Sequence, residues 1–352
     1  TMHLQCINGS SILPRSKKIS MATKQNNKIK FMDFCAGIGA GRLGLEKSGL
    51  SCVGFSEIDK QAEITYRKFF GEDEINHGDL TKIDPKKLPD FEMMIAGFPC
   101  QTFSVIGQRK GMGDERGQII FSLIKIMLAK NLKYFILENV KGLTNHDNGN
   151  SLKVILQELE KAGYKVFYQV LNSVDYGVPQ MRERIYFVGI RKDLVPDDFQ
   201  FYFPERQPRA DVKDYLIDTK ELEFYEKKVA YETFLKYLDN KYNKGQYDIK
   251  EILEQDYLVI DTRQSDLRIY RNKVPTLRTG RHGILYVRDG KFRKLSGYES
   301  LLLQGFPKEL AKKVDGVIEE IHLLKQTGNA MTVNAIEAIA KELFKTLETY
   351  EK

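Results

Sequence analysis

The chain has 352 residues, of which 42% are hydrophobic and 29% charged, and its formal net charge is +7. This length allows about two domains, and the composition is typical of a globular protein and too apolar for a disordered one. No apolar run approaches the ~18 residues of a membrane-spanning helix, which argues against a membrane protein. The four cysteines match neither a disulfide framework nor a zinc site, so we expect a reducing, cytoplasmic setting and no metal.

Most of the positive charge lies at the amino-terminal end. Residues 1–30 carry six basic side chains and no acidic one, which leaves +1 for the rest of the chain. The charge therefore says little about the folded part. This end lacks the continuous apolar segment of a secretory signal. Because the chain begins with Thr1 and has a second methionine at Met21, we expect residues 1–29 to be a flexible basic tail, partly of vector origin.

From residue 30 onward, short apolar runs alternate with longer amphipathic segments. This alternation is typical of an α/β domain, in which helices cover both faces of a mostly parallel, doubly wound Rossmann-like sheet. The pattern predicts strands at 31–34, 52–56, 93–96, 134–137, 166–171 and 185–190, and helices at 42–48, 60–69, 118–130 and 151–162.

The composition changes near Arg191. Residues 192–272 carry 14 basic and 18 acidic side chains, whereas residues 273–310 carry eight basic and three acidic ones. The chain ends in a predicted amphipathic helix at 329–347, with an apolar stripe that includes Val333, Ile336, Ile339 and Leu343.

A glycine-rich segment, 35–44, follows the first predicted strand. Its glycines permit a sharp turn and a close approach by a ligand. Glu57, at the end of the second strand, is placed to bind ribose hydroxyls, and Asp79 could end the next strand. These features fit either a nicotinamide dinucleotide or S-adenosylmethionine. Asp33 favours the latter, because a carboxylate suits a cationic sulfur better than a pyrophosphate.

Three further groups are predicted at the same sheet edge. Cys100 follows the third strand, where a thiol can serve as a nucleophile if it is activated, although a buried, inert cysteine is the alternative. Glu138 ends the next strand, where burial would raise its pKa and make it a proton donor. Gln180, Arg182 and Arg184 alternate into a further strand and would share one face. Glu138 and the arginines could equally form structural ion pairs.

Together these segments resemble the DNA (cytosine-5) methyltransferases, and among them the small bacterial modification enzymes of the HhaI type. The resemblance covers residues 30–345 and is weakest over 192–272. The matching segments, in order, are 31–45, Glu57, Gly78-Asp79, 97–104, Glu138-Asn139-Val140, 180–184 and Gly328-Asn329-Ala330.

The resemblance implies methyl transfer from S-adenosylmethionine to carbon 5 of a cytosine that is flipped out of double-stranded DNA. Cys100 would add to carbon 6 of the base while Glu138 donates a proton toward N3. Arg184 would hold the base carbonyl, and Arg182 would position the base or a nearby phosphate. The segment 105–116 would close over the base as a lid.

The resemblance also assigns the cofactor contacts. These are Phe34, Cys35, Ala36, Gly37, Ile38, Gly39, Glu57, Ile58, Asp79, Leu80, Pro99 and Asn329. Cys35 and Ile58 stand where the family usually has aromatic residues. We therefore expect cofactor affinity to be weaker than in relatives that carry them, since each lost stacking contact is worth roughly 0.5–1.5 kcal/mol.

The resemblance divides the chain into a large catalytic domain, residues 30–190 plus 326–352, and a small DNA-recognition domain, residues 191–325. The predicted DNA contacts are Gln101, Ser104, Gln180, Gln264, Arg268, Arg278 and Arg281, although any one of them could instead be a surface residue or touch only phosphate.

We expect a monomer that acts on DNA in the bacterial cytoplasm, alongside a separate restriction endonuclease. The alternatives are a tRNA cytosine-5 methyltransferase on the same fold and a catalytically inactive DNA-binding relative. A nicotinamide oxidoreductase would explain only the glycine-rich segment.

Overall fold

The structure is a computed structural model that describes residues 28–98, 118–220, 228–280 and 282–350. The first half of the chain alternates strands and helices, as predicted. The strands are β1 (Lys30–Phe34), β2 (Ser51–Ser56), β3 (Met93–Gly97), β4 (Tyr134–Val140), β5 (Tyr164–Asn172), β6 (Gln180–Met181) and β7 (Glu183–Arg191). The helices are α1 (Ala40–Lys47), α2 (Lys60–Phe70), α3 (Gln118–Lys130) and α4 (Asn150–Lys161).

The central sheet has six strands in the order β2-β1-β3-β4-β7-β5. The first four are mutually parallel, and β7 runs antiparallel to both β4 and β5. The fold is therefore α/β with a mostly parallel sheet, as predicted from the alternation. The carboxyl ends of β1 to β4 meet at one edge, where open α/β sheets bind their ligands.

The central strands are buried on both faces, which explains their continuous apolar sequences. Successive residues alternate between two cores: Phe31 and Ile95 face one side of the sheet, whereas Met32 and Met94 face the other. The first core also holds α1, and the second contains residues of α3 and α4.

The second half of the chain contains a four-stranded antiparallel sheet, in the order β12-β11-β8-β9, and a short parallel pairing of β10 with β6. Its elements are α5 (Lys228–Leu238), α6 (Ile249–Leu253), β8 (Val259–Asp261), β9 (Arg268–Tyr270), β10 (Val274–Pro275), β11 (Ile284–Arg288) and β12 (Lys291–Lys294). Four helices follow: α7 (Gly297–Leu303), α8 (Lys308–Val314), α9 (Glu320–Asn329) and α10 (Val333–Tyr350).

The prediction that the terminal helix begins at residue 329 is wrong. Asn329 ends α9, and α10 begins only at Val333. The chain breaks between the two helices because the carbonyl of Ala330 accepts a hydrogen bond from Arg182, and the Val333 amide donates to Gln304. The predicted apolar stripe of α10 is fully buried.

The two predicted domain boundaries stay predictions. Next to each boundary, residues assigned to the small domain pack in the core of the large domain. Phe199 and Phe201, just after the first boundary, belong to the same core as α1 and α10. So do Leu301 of α7 and Val314 of α8, which lie before the second boundary. A separate core surrounds the four-stranded sheet, with Phe234, Ile260 and Val287 among its buried residues. Within the described ranges, no helix is both long and apolar enough to cross a membrane.

Candidate active site

A cavity of about 470 Å³ opens at the carboxyl ends of β1 to β4. Two groups of predicted side chains meet in it. One consists of the acids Glu57 and Asp79, and the other of Glu138 on β4, Arg184 on β7 and Arg182 just before β7. Of the predicted residues, the cavity is lined by Cys35, Gly37, Ile38, Glu57, Ile58, Asp79, Leu80, Glu138, Arg182, Arg184 and Asn329.

The glycine-rich segment forms a tight turn at the mouth of the cavity. Gly37 and Gly39 have φ angles of 55° and 84°, a left-handed conformation that glycine adopts without strain. Gly39 caps α1, and a side chain there would collide with Tyr66 and Phe70. Cys35 also has a positive φ, of 51°.

Three of the described residues that were predicted to bind the cofactor do not line the cavity. Phe34 is fully buried in the core beside α3, and Ala36 packs in a small cluster with Phe55 and Tyr66. Gly39 lies behind the turn rather than on its open side. These residues shape the segment, and the positions that face the cavity are Cys35, Gly37 and Ile38.

Main-chain amides hold Glu57 in place. Its Oε2 accepts a hydrogen bond from the Gly37 amide at 2.7 Å, and its Oε1 accepts from Ile58 and Asp59 at 2.8 Å each. The carboxylate therefore ties the glycine-rich turn to the start of α2. Asp79 caps the short turn that follows it, and hydrogen bonds from Thr81 lower the pKa of this carboxyl.

Asn76 connects the two acid-bearing segments, and the sequence analysis missed it. Its Oδ1 accepts from the amides of Glu57 at 3.1 Å and Gly78 at 2.9 Å, while its Nδ2 donates to the carbonyl of Glu57 at 3.0 Å. Asparagine is common in turns because its side chain binds nearby main chain. That local signal does not reveal the long-range contact with Glu57.

Glu138 and Arg184 form an ion pair in the cavity wall. Their strands pair in register, and Arg184 Nε lies 3.0 Å from Glu138 Oε1. Apart from this ion pair, no described residue donates a hydrogen bond to that buried oxygen. Burial raises the pKa of Glu138, and the charges of Arg184 and Arg182 only partly oppose it. A carboxyl in this setting can hold a proton and donate it to a ligand.

Arg182 is used differently from the prediction. Its side chain is buried, and it donates to the carbonyls of Leu277 at 3.2 Å, Gly328 at 3.3 Å and Ala330 at 2.7 Å. Burial lowers the pKa of Arg182 to about 9, so it remains charged at neutral pH. It borders the cavity, but most of its donors hold main chain and are not free for a base or a phosphate.

Gln180 does not share a face with the two arginines. It is fully buried, its amide nitrogen donates to Leu303, and its carbonyl oxygen accepts from the Leu277 amide. A contact between this side chain and DNA would have to break both bonds. The alternation failed because Arg182 lies in a turn between β6 and β7, where its amide donates to the Gln180 carbonyl.

Helix α9 supplies the remaining wall of the cavity. Asn329 is exposed there, and its Oδ1 accepts a hydrogen bond from the hydroxyl of Thr279. Lys325 reaches across to Asp59 at 3.4 Å, and both line the cavity although neither was predicted.

A second cleft of about 650 Å³ adjoins the cavity and shares Arg184, Gly328 and Asn329 with it. Lys141, Glu183 and the segment from Thr276 to Thr279 also line it, so the predicted DNA contact Arg278 lies beside the active-site cavity.

The predicted DNA contacts Gln264 and Arg268 are not brought to that cleft. Gln264 lines a different depression, together with Tyr237 and Arg263. Arg268 is exposed and forms an ion pair with Asp266.

Several predicted residues lie outside the described residues: Pro99, Cys100, Gln101, Ser104 and Arg281, and with them the predicted lid. Phe98 is the last described residue before Pro99, and its amide donates to the Glu138 carbonyl at 3.2 Å. The Phe98 carbonyl accepts from the Asn139 side chain at 2.9 Å. The end of this strand is thus attached to the segment that carries Glu138.

Comparison with known sequences adds independent information. A profile of the C-5 cytosine-specific DNA methylases matches residues 29–345. The Type II methyltransferase M.BsuFI of Bacillus subtilis is 38% identical over 329 residues, covering 90% of this chain and 73% of that protein. The Type II methyltransferase M.HhaI of Haemophilus parahaemolyticus is 34% identical over 340 residues, covering 94% of this chain and 98% of that protein.

Solved structures share the fold. The Entamoeba histolytica methyltransferase EhMeth has a TM-score of 0.64 at 18% identity, over 92% of this chain and 99% of that one. A mutant of DNMT2 from Spodoptera frugiperda has a TM-score of 0.62 at 20% identity, over 91% of this chain and 100% of that one. At such low identity this likeness concerns the fold only.

Proposed function

Because the chain belongs to the C-5 cytosine-specific DNA methylase family and is a DNA cytosine-5 methyltransferase, we propose that it methylates a cytosine flipped out of a specific duplex sequence, with S-adenosylmethionine as methyl donor. The observation that carries this proposal is the single cavity shared by Glu57 and Asp79 on one side and Glu138 and Arg184 on the other. A methyl donor and a base can meet only where their binding groups adjoin.

The acid-bearing half of the cavity fits S-adenosylmethionine. Glu57 and Asp79 present carboxylates suited to hydroxyl and amino groups, and a Cβ added at Gly37 would meet nothing within 4 Å, so this wall leaves room for a ligand. When bound, S-adenosylmethionine supplies an electrophilic methyl group. Ile58, which stands where the family usually has an aromatic residue, is 71% exposed beside the cavity and offers no ring to stack on a base, so we keep the expectation of weaker affinity.

The other half of the cavity fits a cytosine. Glu138, whose pKa is raised by burial, would donate a proton to N3 as the Cys100 thiolate adds to carbon 6. Arg184, beside it, would hold the carbonyl oxygen of the base. After methyl transfer a base removes the proton from carbon 5, and the bond between sulfur and carbon 6 breaks to restore the ring. We assign Arg182 to holding the surrounding main chain rather than the base.

We propose that the four-stranded sheet and the segment from Thr276 to Gly280 contribute the DNA-recognition surface. Arg278, in the cleft beside the cavity, is then the described residue best placed to contact DNA. The two bacterial relatives are Type II methyltransferases, and on that basis we propose a modification role paired with a separate endonuclease. A monomer acting in the cytoplasm completes this proposal.

The test uses the full chain with radiolabelled S-adenosylmethionine and two substrates, duplex DNA and tRNA. We expect label in DNA, bisulfite sequencing to place the methyl groups in one fixed motif, and DNA containing 5-fluorocytosine to trap a covalent adduct that the Cys100→Ala variant cannot form. Label confined to tRNA, methylcytosine without a common motif, or an adduct that survives Cys100→Ala would overturn the proposal.

A further inference from the structure

A buried arginine–aspartate pair lies between the two parts of the recognition surface. Arg263 donates to both carboxylate oxygens of Asp261, Nε to Oδ1 at 2.7 Å and Nη2 to Oδ2 at 2.8 Å. The Arg263 amide also donates to Oδ1, at 3.0 Å. A bidentate pair of this kind fixes the orientation of the guanidinium plane.

The pair is sheltered from water. The two side chains are only 2% and 7% exposed, unlike the neighbouring pair of Arg268 and Asp266, which is about half exposed. Burial opposes ionisation of Asp261, but hydrogen bonds from Arg263 outweigh it and lower the pKa of the carboxyl. Asp261 is therefore charged at neutral pH, and the pair is strongly orienting because little water competes with it.

The remaining arm of Arg263 reaches the cleft wall. Its Nη1 donates to the carbonyl of Thr276 at 2.7 Å, and the Thr276 hydroxyl donates in turn to the carbonyl of Met181. The next residue, Leu277, donates its amide to Gln180 and accepts from Arg182. An unbroken series of hydrogen bonds thus joins Asp261 to the turn that precedes the Arg184 strand.

Thr262, the residue between Asp261 and Arg263, holds the chain on the other side of Arg278. The Thr262 amide and hydroxyl both donate to the carbonyl of Gly283, at 2.9 and 3.0 Å. Arg263 and Thr262 therefore fasten residues 276 and 283, on either side of Arg278. The residue that follows, Gln264, is itself a predicted DNA contact, and its carbonyl accepts from Tyr237.

We propose that Arg263, oriented by Asp261, is a positioning residue that fixes the segment from Thr276 to Gly280 against the catalytic strand and thereby sets how strictly the enzyme selects its DNA sequence. The inference rests on the proposed function. Arg263 need not touch DNA: it fixes the distance between Arg278 and Arg184, so a wrong base pair cannot be accommodated by a shift of the segment.

The chain contains a control with the same pattern of donors, although its side chains are more exposed, 19% for Arg191 and 64% for Asp193. Arg191 also donates Nε and Nη2 to the aspartate two residues away, Asp193, and Nη1 to a main-chain carbonyl, that of Asn131. Arg191 is the last residue of β7, whereas Arg263 lies two residues beyond the end of β8. Unlike Arg263, Arg191 lines none of the three clefts described above. The same substitution at each arginine distinguishes two effects: the loss of an arginine–aspartate pair anywhere in the fold, and the loss of the pair that holds the segment beside Arg278.

The experiment compares the wild type with Arg263→Lys, Asp261→Asn and Arg191→Lys. Plasmid DNA methylated by each protein is sequenced after bisulfite treatment, and methylation at single-mismatch sites is divided by that at the wild-type motif. Binding of S-adenosylmethionine is measured separately by calorimetry.

We expect Arg263→Lys and Asp261→Asn to raise the mismatch ratio roughly three- to tenfold. Binding of S-adenosylmethionine should stay within about twofold of the wild type, because the acid-bearing half of the cavity is not touched. Arg191→Lys should change neither quantity.

The inference is overturned if both variants keep the wild-type ratio, if Arg191→Lys raises it equally, or if cofactor binding falls together with selectivity. Asp261→Asn keeps the side-chain shape and serves if the lysine variant does not fold. Failure of the wild type to methylate any fixed motif would instead refute the proposed function.

Discussion

Gly37 and Gly39 lie two residues apart in the same turn, and alanine substitutions at these positions should separate stability from cofactor binding. Both glycines have a positive φ, so alanine is strained at either position. Their surroundings differ. A Cβ at Gly39 would lie 2.3 Å from Phe70 Cε2 and 2.9 Å from Tyr66 Cε2, whereas a Cβ at Gly37 would meet nothing within 4 Å.

The expected loss of stability follows from these distances. Holding a non-glycine residue in the left-handed conformation costs roughly 1–2 kcal/mol. Forcing a methyl group into filled space costs typically ~1–3 kcal/mol more. Gly37→Ala should therefore lower the free energy of unfolding by about 1–2 kcal/mol, and Gly39→Ala by about 2–5 kcal/mol. Neither Tyr66 nor Phe70 can move freely, because Arg42 contacts both rings.

Cofactor binding should show the opposite order. The open space beside Gly37 is part of the cavity, so the new methyl group would meet S-adenosylmethionine. An overpacking penalty of ~1–3 kcal/mol applied to the complex weakens binding by roughly 5- to 150-fold. Gly39 does not line the cavity, so its variant should bind more tightly than the Gly37 variant wherever it remains folded.

The assays are urea unfolding of each variant and calorimetric titration with S-adenosylmethionine below the unfolding transition. The reasoning fails if Gly39→Ala is no more destabilising than Gly37→Ala. It also fails if the Gly37 variant binds the cofactor as tightly as the wild type, since the turn would then not border the ligand.

Three further predictions concern the acids and Asn76. Glu138→Gln should lower kcat about 10²- to 10⁴-fold. In the wild type we expect activity to fall as pH rises through the raised pKa of Glu138, and the variant should lack this fall; a variant with the wild-type pH profile would contradict the prediction. Asn76→Ala should weaken S-adenosylmethionine binding with little change in kcat, because the amides of Glu57 and Gly78 lose their shared acceptor. Asn76→Asp keeps an acceptor oxygen, so calorimetric titration should show that it binds the cofactor more tightly than Asn76→Ala does. Burial raises the pKa of Glu299 to about 7, so the folded protein binds this proton more tightly than the unfolded chain does. Stability should therefore decrease by about 3 kcal/mol as pH rises from about 4.5 to 7, and urea unfolding should show a smaller decrease for Glu299→Gln.

Most patterns that depend on neighbours in the chain were read correctly from the sequence; the start of the terminal helix and the alternation over 180–184 were not. Continuous apolar runs predicted strands buried on both faces, and Phe31 and Met32 do face opposite cores. The glycine-rich turn, the acid after β2 and the acid at the end of β4 followed from local spacing, because the carboxyl ends of parallel strands meet at one edge. The expectation that Glu138 would have a raised pKa needed only its place in a buried strand.

What could not be read was which distant groups each polar side chain would meet. Arg182 satisfies carbonyls of Gly328 and Ala330, about 146 residues away along the chain, and is buried for that reason. Asn76 and Arg263 act through main-chain atoms of other segments, and every sequence offers such atoms at every position. A hydrogen bond to main chain leaves no signature in the residue it reaches, so these roles emerge only when the folded chain brings donor and acceptor together.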